Sequence, residues 1–296
     1  MSELEKINSE AQSILDQLNK EQKEAVTHQH GPLLIIAGAG TGKTTVITRR
    51  IAWLILSGLA ASDEILAVTF TDKAAGEMEE RVDKLLPYGY LDLWISTFHS
   101  FCERILHDHA IEVGLPDNFK LLNQIDQAML IRENLDRFDL DYYKPLGNPT
   151  RFIQSLVKHF SRCKDEIVSP EDYFKLVEKK ELSQDSALSN GLMKEEILRL
   201  KEIARAYHTY QQLLLENNAL DFGDLINYTL KLFRERPLIL EKYRQKFKYI
   251  LVDEFQDTNY AQYELIKLLS QPNNNLTVCF DDDQSIYKFR GASVSN

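Results

Sequence analysis

The order of apolar and polar positions predicts buried strands that alternate with helices in the first hundred residues. Short continuous apolar runs are typical of strands that lie inside a parallel sheet, and periodic apolar positions are typical of the helices that cover it. Residues from about Gly42 to Ser57 and the segment DKAAGEMEERVDKLL have the helical period. The predicted strands, including two near the end of the chain, are Leu33–Ala37, Ile65–Phe70, Leu93–Thr97, Lys248–Asp253 and Leu276–Phe280.

The middle of the chain has a different pattern, which is mostly helical from about His107 to Leu215. Its clearest helices are QIDQAMLIRENLDRF, RFIQSLVKHFSRC and MKEEILRLKEIARAYHTYQQLLLE. Because the strand pattern returns afterwards, one α/β domain interrupted by a helical insertion explains the order better than two consecutive domains. We therefore predict an α/β domain over 1–107 and 216–296, and a mostly helical insertion over 108–215.

Composition narrows the class of protein without deciding its function. The 296 residues are 44% hydrophobic and 27% charged, which is typical of a globular protein. The acidic N-terminus does not resemble a secretory signal, and no apolar run is long enough for a membrane span. Three cysteines lie far apart, which argues against a zinc or iron–sulfur site and favours a reducing cytoplasm. The net charge of −10 argues against coating nucleic acid by bulk electrostatics.

The segment AGAGTGKT, at Ala37–Thr44, predicts a phosphate-binding turn between a strand and a helix. Main-chain N–H groups and the positive end of the helix would surround one phosphate group. Lys43 would add a charge for the terminal phosphates, and the Thr44 hydroxyl would ligate Mg²⁺. The strict pattern has glycine at position 37, where this chain has alanine, and an ordinary glycine-rich turn is the alternative. The predicted nucleotide-binding residues of the turn are Ala37, Gly38, Ala39, Gly40, Thr41, Gly42, Lys43, Thr44 and Thr45.

An acidic pair follows the predicted strand in YILVDEFQD. Such a pair is costly to bury unless it ligates a metal or lies at the sheet edge where ligands usually bind. We expect Asp253 to hold Mg²⁺ at the end of a strand neighbouring the phosphate turn, and Glu254 to deprotonate the attacking water. The alternative is a solvated acidic turn. Together, the turn and the acidic pair predict a nucleoside triphosphatase that uses Mg²⁺.

Seven segments in order resemble the N-terminal motifs of UvrD/Rep-like DNA helicases of superfamily 1. They are LNKEQKEAV, AGAGTGKT, TFTDKAAGEMEERV, STFHSF, LDFGDL, LVDEFQDT and DDDQSIYKFRGA. The resemblance implies a RecA-like P-loop domain, called 1A in that family, interrupted by a helical domain called 1B. It also implies ATP-dependent movement along single-stranded DNA in the 3′ to 5′ direction, at a single strand or a single-strand/duplex junction.

The resemblance also assigns roles to three glutamines and one aspartate. Gln22 corresponds to the glutamine that recognises the adenine edge, although by its pattern alone it is a solvent-facing helical residue. Gln284 corresponds to the residue that senses the γ-phosphate and relays its loss toward the DNA groove. Gln256 and Asp257 would support this coupling.

The DNA contacts that the resemblance implies are aromatic and basic. Aromatic rings stack on any base, which suits a motor that does not read sequence. Phe70 has a core position as its alternative, and His99 a buried structural one. Phe289 stands where many relatives have tryptophan, and Phe280 stands where many have glycine. The implied DNA-binding residues are Phe70, Lys73, Phe98, His99, Tyr287, Phe289 and Arg290.

Three readings remain open. The first is the ATP-binding motor half of a DNA helicase, whose second RecA-like domain, or a partner protein, would complete the ATP cleft. The second is a module that binds nucleotide and DNA without turnover, because the family's second motor domain would lie beyond residue 296. The third is an unrelated P-loop enzyme such as a small-molecule kinase, against which the aromatic segments and the DEFQD string argue.

Overall fold

The computed structural model of the protein describes residues 11–38, 40–86, 92–184 and 191–281, with the side chains of 184 and 191–193 excepted. The chain forms two compact units. The first contains the residues up to Ile105 and those from Thr229 onwards, and the second contains Leu106–Tyr228. In the part of the chain that the structure describes, no helix has the length and apolar character needed to cross a membrane.

The first unit is built on a five-stranded sheet in which every strand pair is parallel. Its strands are β1 Leu33–Ile36, β2 Ile65–Thr69, β3 Trp94–Thr97, β6 Tyr249–Val252 and β7 Leu276–Phe280. The order across the sheet is β1-β7-β6-β2-β3. Its helices are α1 Lys20–Thr27, α2 Lys43–Leu56, α3 Asp72–Leu85, α10 Pro237–Lys246 and α11 Tyr260–Ser270.

Local chemistry explains where these helices begin. Asn19 and Asn259 cap α1 and α11 through capping boxes, in which the asparagine side chain accepts from the main-chain N–H three residues later. Thr71 caps α3 in the same way, because its side chain accepts the main-chain N–H of Ala74. β2 and β6 are buried along their whole length, because helices cover both faces of the centre of the sheet. By contrast, β1 lies at an edge, and alternate residues such as Ile36 are exposed.

The second unit is mostly helical and has its own apolar core. It contains α5 Gln124–Glu133, α6 Ile153–Asp165, α7 Pro170–Gln184 and α8 Gly191–Glu216. Two helices, α4 Phe98–His109 and α9 Phe222–Glu235, cross the limits between the units. Phe160 stacks on Tyr207 and Tyr210 in the core, with ring centroids 5.0 and 5.2 Å away.

The predicted α/β class with a parallel sheet is confirmed, and the five predicted strands are present. One feature differs from the sequence-based expectation. The sequence pattern does not predict the short parallel pair β4 Lys120–Leu122 and β5 Ala219–Asp221, which lies in the second unit. That unit runs to Tyr228, and Asp221 and Asp224 form ion pairs with Lys164 inside it.

Candidate nucleotide-binding site

The turn after β1 has the backbone conformation that its glycines allow. Gly40 and Gly42 have φ of +75° and +92°, in the left-handed region that favours glycine. A Cβ on Gly42 would lie 3.4 Å from Nε2 of Gln22, so the glycine also permits a close approach. Ala37 donates its N–H to the main-chain oxygen of Phe280 and so continues the pairing of β1 with β7. Alanine at position 37 is therefore compatible with the turn.

Lys43 begins α2 and is buried, with 8% of its surface exposed. Its ammonium group donates to the main-chain oxygen of Ala37 (3.0 Å) and to Oδ2 of Asp281 (2.5 Å). Asp281 is fully buried and directly follows β7. This ion pair holds the positive charge beside the turn, at the N-terminus of α2, where the helix dipole also favours an anion.

The acidic pair follows β6 at the same edge of the sheet. Asp253 is 5% exposed, and its main-chain N–H donates to the oxygen of Val68 at the end of β2. Burial, together with the neighbouring charge of Glu254, raises the pKa of Asp253 to about 6. Lys43 acts in the opposite direction and lowers this pKa. A divalent cation would favour the carboxylate form in the same way.

Glu254 has a left-handed backbone conformation, with φ of +55°. This conformation costs free energy for a residue other than glycine, and residues that nevertheless adopt it are frequent at functional sites. Its side chain is half-buried and accepts a hydrogen bond from Nε2 of Gln256. The Gln256 amide oxygen accepts the main-chain N–H of Asp281 at 3.1 Å. Gln256 therefore connects the glutamate after β6 to the aspartate after β7.

The sequence predicted that the acidic pair follows a strand next to β1. This prediction was wrong in detail, because β7 lies between β1 and β6. The carboxyl ends of β1, β7 and β6 consequently present the turn, Asp281 and the acidic pair in that order. Asp281 is a further candidate site residue, to which the motifs alone gave no individual role. An aspartate that directly follows the apolar run LTVCF is the same signal that identified Asp253 after YILV.

Gln22 lies in the first turn of α1, and its amide is oriented by two contacts. Oε1 accepts the main-chain N–H of Asn19 (3.1 Å), and Nε2 donates to the main-chain oxygen of Thr41 (3.2 Å). Within the part of the chain that the structure describes, this leaves one N–H and one oxygen lone pair on the amide. One donor and one acceptor on one amide match the N7 acceptor and the N6–H donor of adenine.

The residues at this edge of the sheet include oxygen donors suited to a magnesium ion. Thr44 and Thr45 are half-buried in the first turn of α2, and Asp253 has no ion-pair partner among the described residues. In the same residues, no group of three or more His, Cys, Asp or Glu side chains is arranged to hold a metal. One hydroxyl and one carboxylate fit Mg²⁺, which usually keeps several waters and takes its remaining ligands from substrate phosphates.

The described candidates for DNA contact lie at the carboxyl ends of β2 and β3. Phe70 is half-buried, and its ring meets the edge of Phe98 with centroids 5.7 Å apart. Phe98 is 1% exposed, so its ring packs in the interior of the described structure. Lys73 is exposed, with Glu77 3.8 Å away, and His99 is half-buried. Five predicted site residues lie outside the described residues, namely Ala39, Gln284, Tyr287, Phe289 and Arg290.

This parallel sheet with a lysine-bearing turn at the start of a helix defines the RecA-like P-loop class of nucleotide-binding fold. Comparison with known families then gives a match to the "UvrD/REP helicase N-terminal domain" over residues 18–296. The chain belongs to this family, as its motifs indicated.

Curated relatives carry the name ATP-dependent DNA helicase PcrA. The chain is 43% identical to the Bacillus subtilis (strain 168) protein over 291 residues, which is 98% of this chain. It is 43% identical to a Staphylococcus aureus protein and 42% identical to a Staphylococcus epidermidis protein, each over 96% of this chain. The chain spans 36% of the length of each of these relatives.

Proposed function

We propose that this chain is the ATP-binding motor part of an ATP-dependent DNA helicase that moves 3′ to 5′ on single-stranded DNA. The observation that carries the proposal is the convergence of Lys43, Asp253 and Glu254 at one edge of the sheet, in a chain that belongs to a helicase family. Lys43 would bind the terminal phosphates of ATP, and main-chain N–H groups of residues 37–45 would surround them.

Thr44 and Asp253 would hold Mg²⁺, Asp253 through the water shell of the ion. When bound, Mg²⁺ neutralises charge on the phosphate oxygens. The raised pKa of Asp253 supports this assignment, because a cation stabilises a carboxylate that burial disfavours. Glu254 would orient the attacking water and take its proton. Its carboxylate accepts a hydrogen bond from Nε2 of Gln256, which would help to hold it in place.

Gln22 would recognise adenine with the donor and acceptor that its contacts to Asn19 and Thr41 leave available. Gln284 would sense the γ-phosphate and relay its loss to the DNA groove, and Gln256 and Asp257 would support this relay. The hydrogen bond between Gln256 and the main chain of Asp281 supports such a connection, because Asp281 precedes the segment that carries Gln284.

On the DNA side, Phe70, Lys73 and His99 are the described residues proposed to contact the single strand. Phe98 would support Phe70 from the interior through their edge-to-face contact. Tyr287, Phe289 and Arg290 would contribute from the last segment. A second RecA-like domain or a partner protein would close the ATP cleft, and this closure would drive stepping.

The domain assignment belongs to the same proposal. Residues 1–107 with 216–296 would form the RecA-like domain 1A, and 108–215 the inserted domain 1B. The second compact unit ends at Tyr228, so at this limit the two assignments differ over residues 216–228, which include β5 and the first half of α9.

ATP hydrolysis by the chain, with and without single-stranded DNA, tests the proposal. We expect DNA-stimulated hydrolysis that Glu254→Gln reduces by about two orders of magnitude or more, because general-base catalysis contributes roughly 10²–10⁴-fold. Nucleotide binding by Glu254→Gln should be unchanged. Hydrolysis at the parent rate in this variant would show that Glu254 is not the base. Absent turnover, with nucleotide binding that depends on Lys43, would favour the second reading, a binding module without catalysis.

A further inference from the structure

Two consecutive arginines of α2 bind the main chain of the segment that contains α1. Arg49 donates to the oxygens of Ile14 and Asp16, which precede α1. Arg50 donates through Nη1 to the oxygens of Ala25 (3.0 Å), Val26 (3.2 Å) and His28 (2.5 Å), at the end of α1. Arg49 and Arg50, called the arginine pair below, therefore hold this segment on both sides of Gln22.

Arg50 is 1% exposed, which is unusual for an arginine. Its Nε donates to Oγ1 of Thr277 on β7 (3.0 Å). Burial lowers the pKa of Arg50 to about 10, so the guanidinium stays charged near neutral pH. The carbonyl groups at the end of a helix lack hydrogen-bond donors inside the helix, and the buried guanidinium of Arg50 provides these donors. Arg50 thus joins α1, α2 and β7 at one point.

The same three elements carry the proposed ATP contacts. Lys43 stands two turns before Arg50 on α2, and Asp281 follows the end of β7. α1 has only eight residues, so its position depends on tertiary anchors and not on its intrinsic stability. The donor and acceptor of Gln22 can meet a base correctly only if α1 keeps its position relative to the phosphate turn.

We propose that the two residues of the arginine pair are positioning residues for base recognition. They fix the position of Gln22 relative to the phosphate-binding turn, and this position gives the site its preference for adenine nucleotides. The inference rests on the proposed role of Gln22. Arg50 does not touch the nucleotide in this proposal, and it acts through α1. Guanine presents an O6 acceptor where adenine has the N6–H donor, so GTP is the matched test ligand.

The test measures equilibrium binding of ATP, GTP and inorganic tripolyphosphate to the whole chain and its variants by calorimetry. We expect the parent to prefer ATP over GTP, and Gln22→Ala to lower this preference by about fivefold or more, because a bidentate amide–base pair is worth roughly 1–3 kcal/mol. Arg50→Lys should lower the preference similarly. Tripolyphosphate has no base, so its affinity should not change. In the double variant Gln22→Ala/Arg50→Lys, the preference should equal that of Gln22→Ala alone.

Two further variants keep the result interpretable. Thr277→Val removes one hydrogen bond of Arg50 and should lower the ATP preference in the same direction, which provides the test if Arg50→Lys does not fold. Arg244→Lys is the matched control, because Arg244 Nε in α10 donates to the oxygen of Leu268 in α11 (2.8 Å), a contact in the same unit that does not involve α1. It should leave the preference unchanged.

The outcomes separate this inference from the function on which it rests. A preference lost in Gln22→Ala but kept in Arg50→Lys and Thr277→Val would overturn the positioning role alone. A preference kept in Gln22→Ala would remove the role of Gln22 in adenine recognition and the inference with it. An additional loss in the double variant would mean that Arg50 acts by another route, which also overturns the inference.

Discussion

Lys43 shows at the scale of one residue how function and stability are joined in this site. Its ammonium group is the proposed phosphate ligand, and it is also the partner of the fully buried carboxylate of Asp281. Removing one member of a buried ion pair leaves an uncompensated charge, whereas removing both can be almost neutral. The two contributions of Lys43 can therefore be separated by a pair of variants.

We predict that Lys43→Ala abolishes nucleotide binding and lowers the free energy of unfolding by about 3–5 kcal/mol. Lys43→Ala/Asp281→Asn should recover most of that stability and none of the binding. Guanidinium denaturation and calorimetric titration with ATP measure the two effects. A double variant as unstable as Lys43→Ala would show that the ion pair is not the cause.

Gly42 offers a second residue-scale prediction. Gly42→Ala forces a side chain into φ of +92° and places a Cβ 3.4 Å from Gln22 Nε2. Gly58→Ala is the control, since it has φ of +69° with nothing within 4 Å of its Cβ. Both should lower the free energy of unfolding by about 1–2 kcal/mol. Only Gly42→Ala should weaken ATP binding, and equal ATP affinity in the two variants would contradict this.

At the scale of elements, a buried ionic cluster joins four elements of the second unit. Lys164 of α6 contacts Asp221 of β5 (2.6 Å) and Asp224 of α9 (2.9 Å), and Tyr210 of α8 donates to Asp221 (2.8 Å). The glycine of LDFGDL belongs to this arrangement, because a Cβ on Gly223 would lie 2.7 Å from Cβ of Lys164. The motif therefore has a packing role in addition to any functional one.

The cluster predicts a specific pH dependence. Burial and the charge of Asp221 raise the pKa of Asp224 from its ordinary 3.8 to about 6. Between these values the folded state binds a proton that the unfolded state does not, so the parent loses stability as pH rises from 4 to 6. Asp224→Asn has no carboxyl group at this position and therefore does not lose stability in this way. The free energy of unfolding of the variant minus that of the parent should rise by up to about 3 kcal/mol between pH 4 and pH 6 and then stay constant.

Urea denaturation at half-unit steps from pH 4 to pH 8 measures this difference. Asp172→Asn is a useful control, because Asp172 is half-exposed and its bonds to Lys175 and Ser169 lower its pKa. It should show no rise between pH 4 and 6. A flat difference for Asp224→Asn would mean that Asp224 is ionised throughout.

At the scale of the whole molecule, the net charge of −10 limits how DNA can be bound. Contacts to many phosphates would need a basic surface and would produce a steep salt dependence. The proposed contacts are mainly aromatic, with Lys73 and Arg290 as the charged partners. Binding to a single strand should therefore depend weakly on salt.

We predict a slope of about −1.4 for the logarithm of the association constant against the logarithm of salt concentration, because single strands give about −0.7 per phosphate contact. Lys73→Ala should reduce its magnitude by about 0.7. Lys20→Ala is the control, since both lysines are exposed and face a glutamate four residues later at almost the same distance. Fluorescence anisotropy with an oligothymidine measures the slopes. An unchanged slope in Lys73→Ala would exclude Lys73 as a phosphate contact.

Much of this protein could be predicted from sequence because its signals are local. The turn requires glycine where φ is positive, the buried strands are continuous apolar runs, and Asp253 follows such a run directly. The family was also recognisable from short motifs in order, and the family match confirms it. The spacing of Asn19 and Gln22, three residues apart, is also the sequence pattern of a capping box, which orients the Gln22 amide.

Only the tertiary structure decided which distant segments meet. Lys43 pairs with Asp281 across 238 positions of sequence, and Arg50 bonds Thr277 across 227. Both contacts depend on β7 lying between β1 and β6, and local patterns do not encode strand order. The burial of Phe98 after β3 is also a property of the tertiary structure. Sequence determined the chemistry available at each position, and the order of the strands decided which groups share a site, because that order depends on the packing energy of the complete sheet.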